Sequence, residues 1–174
     1  MNIDKLRQDL EIDEGIKHEV YLDHLNLKTV GIGHLCREDE PEYEMEVGTP
    51  VSDERVQELF ERDLDMVRLD CVKLYPNFDA LPEEAKQIIA NMMFNLGLPR
   101  LSKFKLMKAA VDAGDWEEAA NQMESSRWHS QVPNRAKRLC DRMRVHAVPI
   151  CASQVLLAGT YMLVPAFARS AFQL

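Results

Sequence analysis

Apolar and polar positions divide the chain into a short amphipathic helix, a stretch of strand character and a long helical remainder. Apolar residues recur at helical spacing over residues 3–12, which predicts a first helix that ends at Gly15, a residue type that often terminates helices. Residues 18–23 and 28–34 are rich in strand-forming side chains and flank a polar turn, so they predict two strands.

A loop and a series of helices follow. Residues 37–46 are dominated by acidic side chains and predict an exposed loop. A long amphipathic helix is predicted from Ser52 to a point before Pro76, and helical spacing continues from Leu81 onward. Residues 88–96 are apolar nearly all round, which indicates a core helix surrounded by others. Shorter helices are predicted at about 102–112, 115–125 and 133–144.

This order of elements predicts an α+β fold that is mostly helical, with a small front lobe that contains the strands, a long connecting helix and an all-α rear lobe. A chain of 174 residues is long enough to bury the core of such a domain. The predicted domain covers residues 1–144, with a front lobe at about 12–60. The rear lobe is predicted at about 75–144 and also takes in the first helix. Residues 145–174 form an atypical tail.

Charge is spread unevenly along a chain whose formal net charge is −8. Residues 1–86 carry 10 basic and 23 acidic side chains, whereas residues 100–144 carry 10 basic and 6 acidic ones. An acidic front and a basic back argue against a uniform nucleic-acid surface, and we expect no nucleic-acid partner. The basic part favours an anionic partner, but a solvated helical face explains it equally well.

The sequence offers no pattern for a metal or a cofactor. Its four cysteines lack the spacing of metal ligands, and no phosphate-binding loop is present. The start of the chain lacks the apolar segment of a secretory signal peptide, which predicts synthesis in the cytosol.

Two carboxylates and a hydroxyl are the candidate catalytic groups. Glu14 falls at the C-terminal end of the first helix, where the helix dipole disfavours the charged carboxylate and so suits a proton donor. Asp23 follows a strand, and Thr29 lies on the next one. Hydrolysis of a glycosidic bond needs two acids, one to donate a proton and one to handle the attacking group. Singly, each residue also fits an ordinary role, as a helix-end glutamate, a turn aspartate and a strand threonine.

The sequence around and beyond these residues contains several blocks in a fixed order. The blocks are residues 12–15 (IDEG), 21–23 (YLD), 29–35 (TVGIGHL), 91–97 (NMMFNLG), 116–120 (WEEAA), 125–128 (SSRW) and 131–138 (QVPNRAKR). Together they resemble the tailed-phage lysozymes of the T-even type, and the resemblance extends from residue 1 to about residue 144. It implies a lysozyme-like fold of two lobes.

The resemblance implies a peptidoglycan muramidase, which hydrolyses the β-1,4 bond between N-acetylmuramic acid and N-acetylglucosamine. It assigns Glu14 as the proton donor, Asp23 as the second carboxylate and Thr29 as the residue that helps to place the water. Enzymes of this type are inverting, so Asp23 would act through that water. No cofactor is implied.

Other matched positions imply binding to the substrate. Leu35 and Phe94 match positions that line the saccharide cleft between the lobes, although Phe94 fits the core equally well. Gln122 matches an amide contact of the family, and Met107 stands where the family has a serine contact.

A further matched pair implies a structural role. His34 and Asp63 match a histidine and an acid that join a strand to the long helix. Such a pair forms while the histidine is charged and the acid ionised. A chemical role for His34 is the alternative.

Two segments depart from the family pattern. The segment between His34 and Ser52 is shorter than in the T-even enzymes, which predicts that a small helix of the front lobe is missing. Residues 145–168 contain no Asp, Glu, Lys or Arg. This tail has three open interpretations, namely packing against the rear lobe, membrane association, and an altered reading frame at the end of the gene.

The biological role implied by the resemblance is that of a phage endolysin. We expect peptidoglycan as its partner, a holin for its release from the host cytoplasm to the cell wall, and a monomeric state. The alternatives are a lysozyme-like toxin with the same chemistry, and a wall-binding protein whose activity is impaired.

Overall fold

The computed structural model describes residues 1–23 and 25–145. The helices are α1 (Ile3–Glu14), α2 (Pro41–Glu44), α3 (Asp53–Leu74), α4 (Glu83–Leu96), α5 (Leu98–Leu101), α6 (Lys105–Ala113), α7 (Trp116–Glu124), α8 (Arg127–Gln131) and α9 (Pro133–Val145), with a 3₁₀ turn at Phe78–Ala80. The strands are β1 (Lys17–Leu22), β2 (Lys28–Gly31) and β3 (His34–Leu35). The predicted fold class, mostly helical α+β, is confirmed.

The three strands form one antiparallel sheet in the order β1–β2–β3. Thr29 on the central strand pairs with Tyr21 on one side and with Leu35 on the other. The sheet therefore brings residues from three separate parts of the sequence into one row.

The prediction of one strand over residues 28–34 is wrong, because a tight turn at Ile32 and Gly33 divides it into β2 and β3. Gly31 and Gly33 have φ angles of 64° and 75°, which residues with a Cβ atom rarely adopt. A Cβ atom on Gly31 would also lie 2.9 Å from Cγ1 of Val56. The two glycines thus allow both the turn and its close packing on α3.

The prediction of an exposed loop at residues 37–46 is only partly right, because most of these residues are exposed but the segment is not all loop. The segment contains the four-residue helix α2, where the sequence predicted that a small helix would be missing. Glu40 and Glu42 are buried, with 5% and 2% of their surface exposed. Glu42 accepts two hydrogen bonds from Arg55 of α3, at 2.7 and 3.0 Å. This pairing offsets the cost of burying the carboxylate.

The long helix α3 takes part in two apolar clusters, one at its N-terminal end and one along the rest of its length. Val56 and Leu59 belong to a small cluster beneath the sheet, whereas Phe60, Leu64 and Cys71 belong to a larger cluster of helices. α3 thus contributes to both cores and connects them. The larger cluster is built around α4, whose buried side chains face α1, α3 and α9.

No helix within the described residues is both long and apolar enough to cross a membrane. α9 ends at Val145, so the predictions about the tail fall outside the described residues from position 146 onward.

Candidate active site

Glu14 is the last residue of α1, and its carboxylate is held by an arginine from the far end of the domain. Nη1 of Arg135, on α9, lies 2.5 Å from Oε1 of Glu14. Arg135 is 6% exposed and is itself fixed by Asn91 of α4, since its Nε donates to Oδ1 of Asn91 at 2.8 Å and its Nη2 donates to the Asn91 carbonyl at 3.1 Å. The Glu14 side chain remains 26% exposed.

The neighbouring residue, Asp13, anchors the end of α1 in the same network. Its side chain is 3% exposed and accepts hydrogen bonds from Arg138 Nη2 at 2.8 Å and from Asn91 Nδ2 at 3.0 Å. Arg135 Nε lies 3.2 Å from the same carboxylate. α1, α4 and α9 therefore meet at Asp13, and this meeting fixes the backbone from which Glu14 projects.

Gly33 and Phe94 border the Glu14 carboxylate. A Cβ atom on Gly33 would lie 4.0 Å from Oε2 of Glu14 and 4.0 Å from Cε1 of Phe94. The absence of a side chain at this turn leaves space beside Oε2. Phe94 is half-buried and packs on Phe60 with ring centroids 6.1 Å apart, so it belongs both to the wall of this space and to the core.

Tyr21 lies near both predicted carboxylates. Burial raises the pKa of its hydroxyl, and the negative charges of Glu14 and Asp23 raise it further, while a backbone hydrogen bond from Gly33 acts in the opposite direction. Lys17 lies over the tyrosine ring, 4.1 Å from its centroid. The charges of both acids therefore act on the Tyr21 hydroxyl, which its place in the YLD block did not indicate.

Asp23 is oriented by the backbone of its own turn. Its Oδ1 accepts hydrogen bonds from the N–H groups of Leu25 and Leu27, at 2.8 and 2.9 Å. The backbone N–H of Asp23 donates to the Leu27 carbonyl at 3.0 Å. This arrangement is that of a turn aspartate, and it also gives the carboxylate a fixed direction.

Thr29 is 3% exposed and lies between Tyr21 and Leu35 in the sheet. Its hydroxyl donates to the Leu27 carbonyl at 3.0 Å. Because that proton is engaged, the oxygen acts as an acceptor toward any further group.

The predicted binding residues fall into two places. Leu35 is 50% exposed on β3, beside Thr29, and Phe94 borders Glu14. Gln122 and Met107 instead line a separate cavity of about 670 Å³ on the rear lobe. Met107 is only 1% exposed and belongs to the core, so it offers little surface to a ligand.

His34 is buried between two carboxylates. Its Nδ1 lies 2.8 Å from Asp63, as the family resemblance implies, and its Nε2 lies 2.8 Å from Glu40, which the sequence did not indicate. Burial alone lowers the pKa of His34, but the hydrogen bonds from the imidazole to Asp63 and Glu40 outweigh it and raise the pKa. Glu40 also accepts the backbone N–H of Arg37 at 2.8 Å and lies 3.0 Å from Arg62.

The pKa of Glu40 reflects the same contacts. Burial raises it, but the hydrogen bonds from His34 and from the Arg37 backbone outweigh burial, so the pKa is lowered. When protonated, the histidine joins two carboxylates that link β3 and the segment before α2 to the long helix α3. This geometry agrees with the structural role that the resemblance implies for His34 and Asp63.

Sequence reasoning missed Arg135, Asn91 and Arg138, although all three lie inside the blocks that carry the resemblance. The basic residues of the block at 131–138 could have indicated two of these residues, Arg135 and Arg138. A basic residue on the apolar face of a helix needs a buried acid, and the acids of the IDEG block are its natural partners.

The chain matches the phage lysozyme family over residues 11–144. A relative named Probable T4-type lysozyme 2, from Dictyostelium discoideum, is 30% identical over 160 residues, which cover 79% of this chain and 92% of the relative. The pre-baseplate central spike protein Gp5 of Enterobacteria phage T4 is 32% identical over 149 residues, covering 75% of this chain and 26% of Gp5. The peptidoglycan hydrolase gp36 of Pseudomonas phage phiKMV is 26% identical over 140 residues, covering 80% of this chain and 15% of gp36.

Proposed function

The chain belongs to the phage lysozyme family, and on that premise we propose that it cleaves the β-1,4 bond between N-acetylmuramic acid and N-acetylglucosamine with inversion. Its membership makes it a cell-wall lytic enzyme of the glycoside hydrolase type. The observation that carries the finer proposal is the setting of Glu14. The carboxylate is fixed by Arg135 on one oxygen, while its other oxygen lies beside Gly33, which has no side chain, and the Glu14 side chain remains 26% exposed.

In this proposal Glu14 donates its proton to the oxygen of the leaving sugar. The space beside Oε2, between Gly33 and Phe94, receives that oxygen. Once the proton has left, the Arg135 guanidinium stabilises the carboxylate that forms. The anchor at Asp13 keeps the donor in place throughout, because positioning is itself a large part of catalysis.

Asp23 and Thr29 act on the attacking water. The Asp23 carboxylate, directed by the N–H groups of Leu25 and Leu27, accepts a proton from the water as it attacks. The Thr29 oxygen, whose own proton is engaged with the Leu27 carbonyl, accepts a hydrogen bond from the second O–H of that water, which stays on the new hydroxyl group, and so orients the water. The product then has the opposite anomeric configuration, as in other inverting pairs.

Product analysis tests the reaction. Purified Gram-negative cell walls are digested with the wild type, and the new reducing ends are identified chemically. We expect reducing ends on N-acetylmuramic acid, released initially as the α-anomer in proton NMR spectra. Reducing ends on N-acetylglucosamine would contradict the bond assignment, and initial β-anomer would contradict inversion. A folded wild type that releases no reducing ends would support a wall-binding protein instead.

We further propose that the protein serves host lysis and remains in the host cytoplasm until a holin opens the inner membrane. Expression in a Gram-negative bacterium tests this. The culture should grow normally until chloroform permeabilises the inner membrane and should then lyse within minutes, whereas a Glu14→Gln culture should not lyse. Lysis without chloroform would contradict the dependence on release.

A further inference from the structure

A second cavity, of about 580 Å³, lies on the front lobe between the end of β3 and α2. Its lining includes Leu27, Lys28, Leu35, Arg37 and Tyr43, and we call it the front-lobe pocket. Leu27, Leu35 and Tyr43 are large side chains that are exposed to solvent. Single exposed apolar residues are common, but several of them around one cavity are typical of a binding site.

The wall of the front-lobe pocket is fixed in the absence of a ligand. Nζ of Lys28, on β2, donates hydrogen bonds to the carbonyl oxygens of Tyr43 and Met45, at 2.6 and 2.7 Å. Glu42 of the same short helix is held by Arg55 of α3. α2 is therefore attached to the sheet on one side and to α3 on the other. A preformed pocket loses little conformational entropy when a ligand binds.

The charges in the lining of the front-lobe pocket balance one another. Lys28 and Arg37 contribute two positive charges, and Glu38 and Glu44 contribute two negative ones. The Lys28 ammonium is already engaged with two carbonyl groups, whereas the Arg37 side chain is 48% exposed. Asn26 adds an amide to the lining. Hydrogen-bond donors and acceptors around apolar side chains, without excess charge, suit a neutral ligand that has many polar groups.

Two residues of the lining are in direct contact with the proposed catalytic groups. The backbone N–H of Leu27 donates to Oδ1 of Asp23 at 2.9 Å, and the Leu27 carbonyl accepts the Thr29 hydroxyl at 3.0 Å. Leu35 is the partner of Thr29 in the sheet. The front-lobe pocket therefore begins next to the residues that are proposed to act on the water. A polymer that lies across Asp23 and Thr29 passes close to it.

We propose that the front-lobe pocket binds a 2-acetamido sugar of the glycan strand that is being cut, beyond the sugars at the catalytic residues. The inference rests on the proposed function, because it takes the polymer in the active site to be the glycan strand of peptidoglycan. The apolar face of the sugar ring packs on the ring of Tyr43, and the acetamido methyl group contacts Leu27 and Leu35. Arg37 donates hydrogen bonds to the oxygens of the sugar. The pocket thereby lengthens the binding site without taking part in the chemistry.

Direct binding tests the proposal independently of catalysis. The probe is chitohexaose, a neutral β-1,4 oligomer of N-acetylglucosamine, titrated by calorimetry into the full-length Glu14→Gln chain. Adding Tyr43→Ala should weaken binding by about three- to tenfold, which is the effect of one aromatic contact. Tyr43→Phe keeps the ring and should bind as tightly as the parent. The control is Leu69→Ala, which removes an exposed apolar side chain from α3 and should also bind as tightly.

NMR spectroscopy of the same chain locates the bound sugar. Chitohexaose should shift the backbone amide signals of residues 36–38 and 43–45, which form part of the front-lobe pocket or adjoin it. Shifts confined to the surroundings of Glu14 and Asp23 would overturn the proposal. Equal binding of chitohexaose by the parent and by Tyr43→Ala would also overturn it. A loss with Tyr43→Phe as large as that with Tyr43→Ala would contradict packing of the sugar on the ring.

Kinetics with peptide-free glycan strands of increasing length separate this inference from the proposed function. In the otherwise wild-type chain, Tyr43→Ala should raise KM for long strands about three- to tenfold and leave kcat unchanged. On the shortest strand that the wild type cleaves, both proteins should have the same KM. An equal rise at every length, or a rise only on intact cross-linked walls, would overturn the assignment to the strand being cut. A wild type that cleaves no strand would overturn the proposed function and leave the calorimetric and NMR tests valid.

Discussion

The two proposed catalytic carboxylates are held in place in different ways. Glu14 is fixed by Arg135, a residue 121 positions away, through a network that joins three helices. Asp23 is fixed by the backbone N–H groups of Leu25 and Leu27 within its own turn. The position of Glu14 therefore depends on the assembled rear lobe, whereas the position of Asp23 depends mainly on a few neighbouring residues. The difference predicts which mutations disturb catalysis through the fold and which do so directly.

Removal of Arg135 tests the long-range support and should have the largest effect on stability. In Arg135→Leu the buried Asp13 and Asn91 lose a partner and Glu14 loses its anchor. We expect the free energy of unfolding to fall by about 3 kcal/mol, as for other broken buried ion pairs. Urea denaturation measures the change. Arg68→Leu is the matched control, because its pair with Asp79 is exposed and should contribute less than about 1 kcal/mol.

The stability of the front lobe should depend on pH, because His34 and Glu40 form a buried pair in this lobe and the pKa of each is shifted. The pKa of His34 is raised on folding, so its contribution is complete below about pH 6.5 and is lost as the pH rises through the raised value. The pKa of Glu40 is lowered, so its contribution is present above about pH 4.3 and is lost as the pH falls through the lowered value. Stability from this group should be greatest between these two limits.

Denaturation of the wild type and of Glu40→Gln across this pH range measures the effect. His34 is also in contact with Asp63 of α3, while Arg37 lies 3.8 Å from Asp63 and Arg62 lies 3.0 Å from Glu40. Glu40→Gln should cost about 1–3 kcal/mol between the two limits and should weaken the alkaline decline. An unchanged alkaline decline would show that Glu40 does not stabilise the charged histidine.

Substitution of Asp23 separates its role in the turn from its proposed role in catalysis. Asp23→Asn retains an oxygen for the Leu25 and Leu27 N–H groups, so the free energy of unfolding should change by less than about 0.5 kcal/mol. Asp23→Ala removes it and should cost about 1 kcal/mol. Both variants should lose at least about 100-fold in the rate of wall hydrolysis. An active Asp23→Asn would leave Asp23 with a structural role only.

Tyr21→Phe should have the smallest effect. The hydroxyl lies near both Glu14 and Asp23 and interacts with the Gly33 backbone. Its removal should lower the hydrolysis rate about two- to tenfold, the equivalent of one hydrogen bond, and change the free energy of unfolding by about 1 kcal/mol or less. Rate measurements from pH 4 to pH 9 provide the check. A loss of about 1000-fold would instead give Tyr21 a direct part in the chemistry.

Helices were predictable from the sequence because their apolar spacing is a local signal. Gly15 terminates α1 and Ser52 caps α3, as their residue types indicate. The motif blocks also identified Glu14, Asp23 and Thr29 as candidates. The short helices α5 and α8 escaped prediction because four or five residues are too few to show a period.

Features that depend on distant partners were not predictable in the same way. The acidic composition of residues 37–46 predicts exposure to solvent, yet Glu42 is buried because Arg55 pairs with it. Similarly, Arg135 and Glu14 are far apart in the sequence, and only the packing of α9 on α4 brings them together. Residues 28–34 divide into two strands because Gly31 and Gly33 have positive φ angles. The alternation of apolar and polar side chains along this segment does not indicate those angles.

The rate of cell-wall hydrolysis by Glu14→Gln tests the central claim most directly. The matched control is Glu19→Gln, which alters an exposed carboxylate on β1. Urea denaturation of both variants first establishes that they fold as stably as the wild type. We predict that Glu14→Gln loses at least about 100-fold in rate while Glu19→Gln retains the wild-type rate. A folded Glu14→Gln that hydrolyses walls within about tenfold of the wild type would contradict the role of Glu14 as proton donor.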